Sequence, residues 1–251
     1  MSSEPNAAAA TVPAAVELID VTKSFGSGST EVRALRGVSL RIEPGEMVAV
    51  MGPSGCGKST LLHLAGAMEA PSSGRVLVHG RDLGDLNLSE QAALRRRDVG
   101  YVFQRLNLMP SLSACENVAL PLELDGVPLK AARERALAAL DSVGLGRDLT
   151  MLGRYPDEFS GGQQQRIAIA RAIVGEQRVL LADEPTGALD TVTADEVIEL
   201  LAGLPSRTGT AVVLVTHEPR FASCTDRVVF MRDGVVVDET PSLLTSGSAG
   251  A

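Results

Sequence analysis

One stretch of the sequence decides the fold: Val48-Ala49-Val50-Met51, followed directly by Gly52-Pro53-Ser54-Gly55-Cys56-Gly57-Lys58-Ser59. Its first part is continuously apolar, which is typical of a strand buried on both faces of a parallel sheet. Its second part matches the pattern G-x-x-x-x-G-K-[ST], whose glycines let the backbone wrap closely and point its N–H groups inward. A helical run from Thr60 to Ala65 follows. The stretch therefore predicts a strand, a phosphate-binding loop and a helix whose positive end faces the anion.

Two other runs are also continuously apolar and end in residues that carry chemistry. Val179-Leu180-Leu181-Ala182 leads into Asp183-Glu184, and Val212-Val213-Leu214-Val215 leads into Thr216-His217. In open α/β sheets, ligands bind beyond the carboxyl ends of the strands. We therefore expect the two strand ends and the phosphate loop to meet at one ligand.

The remaining patterns complete the fold class. Val16–Val21 and Val38–Ile42 alternate between apolar and polar residues, which predicts an antiparallel flank. Ser113-Ala114-Cys115-Glu116 has the form of a capping box, and Lys130–Val143 is rich in helix formers. The sequence predicts an α/β protein: a P-loop NTPase core with a mainly parallel central sheet, an antiparallel β flank and an inserted helical subdomain.

Composition argues against several classes of function. The 251 residues carry a formal net charge of −8, whereas nucleic-acid binders usually show a basic patch. The basic run Arg95-Arg96-Arg97 is interpreted as a solvated helix face, with a contact to acidic lipid or nucleic acid as the alternative. Cys56, Cys115 and Cys224 fit neither a disulfide framework nor a zinc site, which favours a reducing compartment. No apolar run reaches the roughly 18 residues of a membrane span.

The phosphate loop and the carboxylates beside it indicate a nucleotide site. Lys58 supplies a charge for the β- and γ-phosphates, and Ser59 offers a hydroxyl to Mg²⁺. Asp183 would be costly to bury unless it reaches that cation, and Glu184 is the natural general base for a water. The alternative is that both carboxylates simply begin a solvated loop. The residues predicted to bind ATP here are Gly52, Pro53, Ser54, Gly55, Cys56, Gly57, Lys58, Ser59 and Thr60.

The segment Phe159-Ser160-Gly161-Gly162-Gln163-Gln164-Gln165-Arg166 resembles the Leu-Ser-Gly-Gly-Gln signature of ABC ATPases, with Phe159 in place of leucine. Ser160 and Gln163 also form a capping box for a helix that runs to Ile173. The two interpretations are compatible, because a helix N-terminus with glycines, a serine and no nearby acid is an anion site. The resemblance implies that Ser160, Gly161, Gly162 and Gln163 contact the ATP held by a second subunit.

Further segments resemble other elements of that family, in the same order. Gln104 resembles the Q-loop glutamine, which touches Mg²⁺ and the attacking water. Gly187-Ala188-Leu189-Asp190 resembles the D-loop that crosses the dimer seam, and His217 resembles the switch histidine at the γ-phosphate. Phe25 stands where the family places an aromatic residue on adenine, with a core position as the alternative. The resemblance implies that Glu184, His217 and Gln104 are catalytic. It implies that Ser59, Gln104 and Asp183 contact the metal ion. It also adds Asp190 to the residues that contact the ATP held by the second subunit.

The resemblance extends from about Val16 to Leu244 and implies the domain organisation. The expected divisions are a disordered tail at 1–15, an ABC ATPase domain at 16–244 and a flexible tail at 245–251. Within the domain we expect a core at 16–89 and 166–244 and a helical subdomain at about 90–165. Residues 182–190 and Glu116-Asn117-Val118 look most like the branch of macrolide/peptide exporters, lipoprotein-releasing ATPases and the cell-division ATPase.

The family resemblance implies a homodimer that binds ATP and Mg²⁺ and powers an integral membrane permease. It would lie on the cytoplasmic face of the cell membrane as a peripheral subunit, with no nucleic acid as partner. A cell-division or signalling ATPase that remodels a membrane partner without solute transport is the first alternative. A DNA-repair or ribosome-associated ABC ATPase is the second, and a plain P-loop kinase or GTPase the third. The signature segment and Glu184 argue against the third.

Overall fold

The computed structural model describes residues 12–241, apart from 147, 149, 151 and 152. Of the predicted tails, residues 1–11 and 245–251 lie outside the described residues. Ala14 and Ala15 are described and buried. The Ala15 N–H donates to the carbonyl of Ile42 at 2.9 Å, and its own carbonyl accepts from the His79 N–H at 3.1 Å. The packed part of the chain therefore begins before the predicted boundary at Val16, because two neighbouring segments hold this backbone.

The strands form a six-stranded central sheet and a four-stranded flank. The described residues contain β1 (Val16–Phe25), β2 (Val32–Ile42), β3 (Met47–Met51), β4 (Ser73–Val78), β5 (Arg81–Asp82), β6 (Val99–Val102), β7 (Val179–Asp183), β8 (Ala211–Val215), β9 (Arg227–Arg232) and β10 (Val235–Glu239). The central order is β10-β9-β3-β8-β7-β6, parallel except for the antiparallel pair β9/β10. The flank, β2-β1-β4-β5, is antiparallel. Both sheet predictions are confirmed.

The helices cover the central sheet and build a separate helical layer. The helices with described bounds are α1 (Lys58–Ala65), α2 (Leu88–Arg97), α3 (Ala114–Leu124), α4 (Leu129–Ser142), α5 (Gly161–Ile173), α6 (Thr191–Ala202), α7 (Leu204–Thr208) and α8 (Pro219–Ala222). Helices α3 and α4 pack on each other and on α5. The predicted capping box of α3 is present, since Ser113 Oγ accepts from the Glu116 N–H and the Glu116 carboxylate accepts from the Ser113 N–H. The subdomain boundary at about 90–165 stays a prediction.

The continuously apolar runs are explained by two cores, one on each face of the central sheet. Val212 and Leu214 pack with the residues of α3 to α6, whereas Val213 and Val215 pack with α1 and the flanking sheet. Because side chains alternate along a strand, a strand covered on both sides needs an apolar residue at every position. The same alternation in β7 places the carboxyl end of that strand between the two cores.

A buried ion pair joins the start of β3 to β9. Glu46 is 1% exposed and its Oε1 lies 2.9 Å from Nε of Arg227, whose side chain is 11% exposed. The other carboxylate oxygen of Glu46 accepts the N–H of Glu43 at 2.8 Å. This pair anchors the chain just before the strand that leads to the phosphate loop.

We expect Glu46→Ala to lower the free energy of unfolding by about 1.5–3 kcal/mol, because the Arg227 guanidinium loses its buried carboxylate while it keeps its pair with the more exposed Glu239 at 2.7 Å. Urea denaturation monitored by circular dichroism measures the change. Glu17→Ala is the control, since the side chains of Glu17 and Arg41 are more exposed, at 30% and 44%, and their pair should contribute less than about 1 kcal/mol. An equal loss of unfolding free energy in the two variants would contradict a stabilising role for the buried pair of Glu46 and Arg227.

Candidate functional site

The loop from Gly52 to Gly57 has a shape that only glycine permits at its two ends. Gly52 has a φ of 151° and Gly57 a φ of 107°. A β-carbon at Gly52 would overlap the carbonyl oxygen of Met231, and one at Gly57 would lie 2.5 Å from the carbonyl oxygen of Ala34. The loop is thus pressed against β9 and β2, while its tip, residues 53–55, is exposed.

Lys58, the first residue of α1, holds its charge inside this loop. Its Nζ donates to the carbonyls of Gly52 at 2.8 Å and Pro53 at 3.0 Å, and the residue is 6% exposed. Within the described part of the chain no carboxylate lies within ion-pair distance of this ammonium. The loop therefore concentrates positive charge at the N-terminus of a helix, which favours a bound anion.

Asp183 ends β7 beside the loop and is 7% exposed. Burial raises the pKa of its carboxyl, and a hydrogen bond with the Ser59 side chain acts in the opposite direction. A buried carboxylate next to a hydroxyl is the oxygen-donor chemistry that Mg²⁺ prefers. No group of three or more His, Cys, Asp or Glu suited to a metal occurs among the described residues. A cation held by Asp183 and Ser59 would therefore complete its ligands with oxygens from water or from a bound phosphate.

Glu184 follows at the edge of the sheet, where two polar side chains contact it. Its N–H donates to the carbonyl of Val215 at 3.0 Å, which extends the β7/β8 ladder by one residue. Gln104 Nε2 donates to Glu184 Oε2 at 3.1 Å, and His217 Nδ1 lies 3.5 Å from Oε1. The Glu184 side chain is 22% exposed, so water can reach it. The three predicted catalytic side chains are thus brought together.

The signature segment lies at the exposed N-terminus of α5. Ser160 Oγ accepts from the Gln163 N–H at 3.3 Å, and Gln163 Oε1 accepts from the Ser160 N–H at 3.0 Å, so the predicted capping box is present. A β-carbon at Gly162 would overlap the Thr193 side chain at the start of α6. Between residues 160–163 and the phosphate loop, the described residues make no hydrogen bond or ion pair. One copy of the chain therefore does not join these two predicted ATP contacts.

Asp190, which was predicted to belong to a D-loop, caps α6. Its Oδ1 accepts from the N–H groups of Val192 and Thr193 at 3.1 Å each, and its Oδ2 accepts from the Thr193 hydroxyl at 2.7 Å. The hydrogen bond from the Thr193 side chain, followed by that from its N–H, lowers the pKa of Asp190. Since Thr193 also packs on Gly162, the start of the signature helix and the D-loop are held together.

Phe25 ends β1 with 41% of its surface exposed, and Lys23 Nζ lies 5.0 Å from the centroid of its ring. The aromatic face is therefore at the surface rather than in either core. This placement is compatible with stacking on a planar ligand. The structure therefore does not place Phe25 in a hydrophobic core, which was the alternative interpretation of this residue.

Tyr101 belongs to the surroundings of Asp183, although the sequence analysis did not single it out. It pairs with Leu181 in the parallel register, two residues before Asp183 on β7. Burial, and then the charge of Asp183, raise the pKa of Tyr101 far above its usual range. Its hydroxyl is buried without a hydrogen-bond partner among the described residues. The available signal was the position of this tyrosine, shortly before Gln104 on a buried strand.

Comparison with known proteins gives a consistent result. A model of the family described as "ABC transporter" matches residues 35–187. The macrolide export ATP-binding/permease protein MacB of Hyphomonas neptunium is 46% identical over 228 residues, which is 91% of this chain and 35% of MacB. The ABC transporter ATP-binding protein YknY of Bacillus subtilis is 45% identical over 88% of this chain and 95% of YknY. The chain thus spans about a third of the length of its MacB relatives.

Solved structures also resemble the fold. A dimeric post-hydrolysis state of the ATP-binding cassette MJ0796, bound to ADP and Pi, superposes with a TM-score of 0.83. It is 40% identical and the match covers 90% of this chain and 97% of the cassette. The cbiO1 subunit of an ABC transporter complex from Clostridium perfringens has a TM-score of 0.80 at 28% identity, covering 94% and 92% of the two chains.

We expect Asp183→Asn to stabilise the nucleotide-free protein at pH 7. Burial raises the Asp183 pKa above the reference value of 3.8, so the folded protein binds this proton more tightly than the unfolded chain. The ionised carboxylate therefore costs stability once the pH rises through the raised pKa. Urea unfolding at several pH values should show that Asp183→Asn raises the free energy of unfolding, and that this increase shrinks as the pH falls toward 3.8. Asp195→Asn, at an exposed carboxylate, is the control, and a gain independent of pH would contradict the prediction.

Proposed function

Because this chain belongs to the ABC transporter family, as an ATP-binding and ATP-hydrolysing cassette, we propose that two copies enclose two Mg-ATP molecules to drive a membrane permease. Each ATP would lie between the phosphate loop of one copy and the signature segment of the other. The observation that carries this proposal is the cluster of Gln104, Glu184 and His217 at the sheet edge beside Lys58.

Hydrolysis follows from the chemistry of that cluster. Lys58 and the loop N–H groups bind the β- and γ-phosphates, and Glu184 accepts a proton from the attacking water as general base. Gln104 holds the Glu184 carboxylate in place, and His217 contacts the γ-phosphate. Ser59, Asp183 and Gln104 would hold Mg²⁺, which when bound neutralises charge on the phosphates. Phe25 stacks on the adenine.

We infer that two copies are needed, because in one copy no hydrogen bond or ion pair of the described residues links the signature segment to the phosphate loop. Ser160 and Gly161 are exposed at the N-terminus of α5, where free N–H groups and the helix dipole favour an anion. Asp190 lies against the same helix start through Thr193 and would contact the partner. Support comes from the MJ0796 cassette, a relative at 40% identity that has been solved as a dimer, in one structure with bound ADP and Pi. ATP would bind the closed pair more tightly than the open pair, and this difference in affinity would drive the motion of the two copies.

The partner we propose is an integral membrane permease of the exporter type. The MacB relatives are named as ATP-binding/permease proteins for macrolide export, and this chain matches about a third of their length. No helix among the described residues is both long and apolar enough to cross a bilayer. We place the cassette on the cytoplasmic face of the membrane, with the segment between Gln104 and Asn117 facing the permease.

Glu184→Gln is expected to lower kcat by about 10²–10⁴-fold while ATP affinity persists, since it removes the base and keeps the shape. With ATP bound and not hydrolysed, the variant should elute as a dimer in size-exclusion chromatography. Glu199→Gln, an exposed change on α6, should behave as the parent protein. A Glu184→Gln protein that stays monomeric in ATP would argue against the enclosed pair.

Mixing two inactive variants tests the shared sites directly. Lys58→Ala should lose nucleotide binding, and Gly161→Asp places a negative charge where the γ-phosphate of the partner would lie. The aspartate does not harm the helix, because an acid at a helix N-terminus is stabilising. A mixed pair contains one intact site, so ATPase activity should return on mixing, whereas two phosphate-loop variants should stay inactive. If mixed pairs are shown to form and no ATPase activity returns, the proposal is contradicted.

A further inference from the structure

Arg171 connects the signature helix to the loop that carries Gln104. It lies in the last turn of α5, whose first turn holds the signature segment. Its Nη1 donates to the carbonyl of Asn107 at 2.7 Å, and its Nη2 donates to the carbonyl of Leu106 at 2.7 Å. These carbonyls follow Gln104 by only a few residues. One side chain therefore ties two predicted parts of the site that are far apart along the chain.

The contact has little tolerance for movement. Arg171 is partly buried, burial lowers the pKa of its guanidinium, and among the described residues it forms no ion pair. The two backbone carbonyls are thus its stabilising partners, and a buried cation that loses its partners is strongly unfavourable. The loop and the end of α5 should consequently move together.

The loop itself is held at both ends. Asn107 has a φ of 50°, a left-handed conformation that is uncommon for a residue other than glycine. Beyond it, the fully buried Asn117 accepts from the Met109 N–H at 2.7 Å and donates to the Met109 carbonyl at 3.0 Å. Only Arg105 separates Leu106 from Gln104, and two residues of chain span at most about 7 Å, so holding Leu106 restricts where Gln104 can lie.

We propose that Arg171 is a positioning residue for ATP hydrolysis: it makes the placement of Gln104 against Glu184 follow the placement of the signature helix. This inference rests on the proposed function. It differs from a general packing role, in which loss of Arg171 would reduce stability without acting through Gln104.

A double-mutant cycle separates the two roles, using the full chain. Arg171→Lys keeps the charge but loses the planar pair of donors that serves two carbonyls. We expect kcat to fall about tenfold, as for the loss of a hydrogen bond to a charged group, with ATP affinity within about twofold. In the Gln104→Ala background, Arg171→Lys should cause no further loss. The proposal would be overturned if the losses of kcat from Arg171→Lys and Gln104→Ala multiplied in the double variant. It would also be overturned if Arg171→Lys lowered the melting temperature and left kcat unchanged.

Arg135→Lys is the matched control. Arg135 Nη2 donates to the carbonyl of Val174, just beyond the same helix, and within the described part of the chain Arg135 makes no hydrogen bond to the Gln104 loop. It should leave kcat unchanged; a tenfold loss in this control too would contradict a specific role for Arg171. If Arg171→Lys cannot be purified, Arg171→Gln, which keeps one amide donor, enters the same cycle.

A second measurement does not depend on ATP hydrolysis. Amide hydrogen exchange of residues 104–109 should become faster in Arg171→Lys and stay unchanged in Arg135→Lys. Unchanged exchange in Arg171→Lys overturns the inference even if the protein is an active ATPase. An inactive parent protein with the expected exchange difference would instead overturn the proposed function and leave the Arg171 link standing.

Discussion

The parallel register of β3, β8 and β7 is the constraint on which the site depends. Val50 pairs with Val215, and Val215 with Asp183, so the ends of three strands stop at one level of the sheet. Hydrogen bonds between strands fix that level, and the N–H of Glu184 continues the ladder to Val215 before the chain turns away with a φ of 43°. A slip of one residue would move both carboxylates away from the phosphate loop.

Charge within the site is arranged at the expense of stability. Lys58 is buried with carbonyls as its partners, and Asp183 is buried with its pKa raised. Neither arrangement favours the isolated fold, since buried charges are stabilised chiefly by counter-charges. Both suit a ligand that brings phosphate and a divalent cation together. Functional sites commonly carry such local costs, which the surrounding cores offset.

The parts of the fold that follow local rules could be predicted from the sequence. The apolar runs correctly predicted strands that are covered on both faces. The pairs Ser113/Glu116 and Ser160/Gln163 correctly predicted where two helices begin, because a capping box forms between residues only three positions apart. Tertiary placement could not be predicted in the same way. The exposure of Phe25, the burial of Ala14 and Ala15, and the bonds from Arg171 to Leu106 and Asn107 all depend on segments distant in sequence. No local pattern encodes which backbone carbonyl a buried guanidinium will meet.

The contacts of Gly52 and Gly57 have a consequence for how the chain is made. The curvature of the phosphate loop is set partly by the carbonyl of Met231 on β9, and the N–H of Gly234 donates to the carbonyl of Cys56 at 3.1 Å. A nascent chain leaves the ribosome from its N-terminus, so the loop emerges long before the hairpin that shapes it. Affinity for nucleotide should therefore arise late in biosynthesis, when the last strands have docked, and a truncated translation product would not compete for ATP.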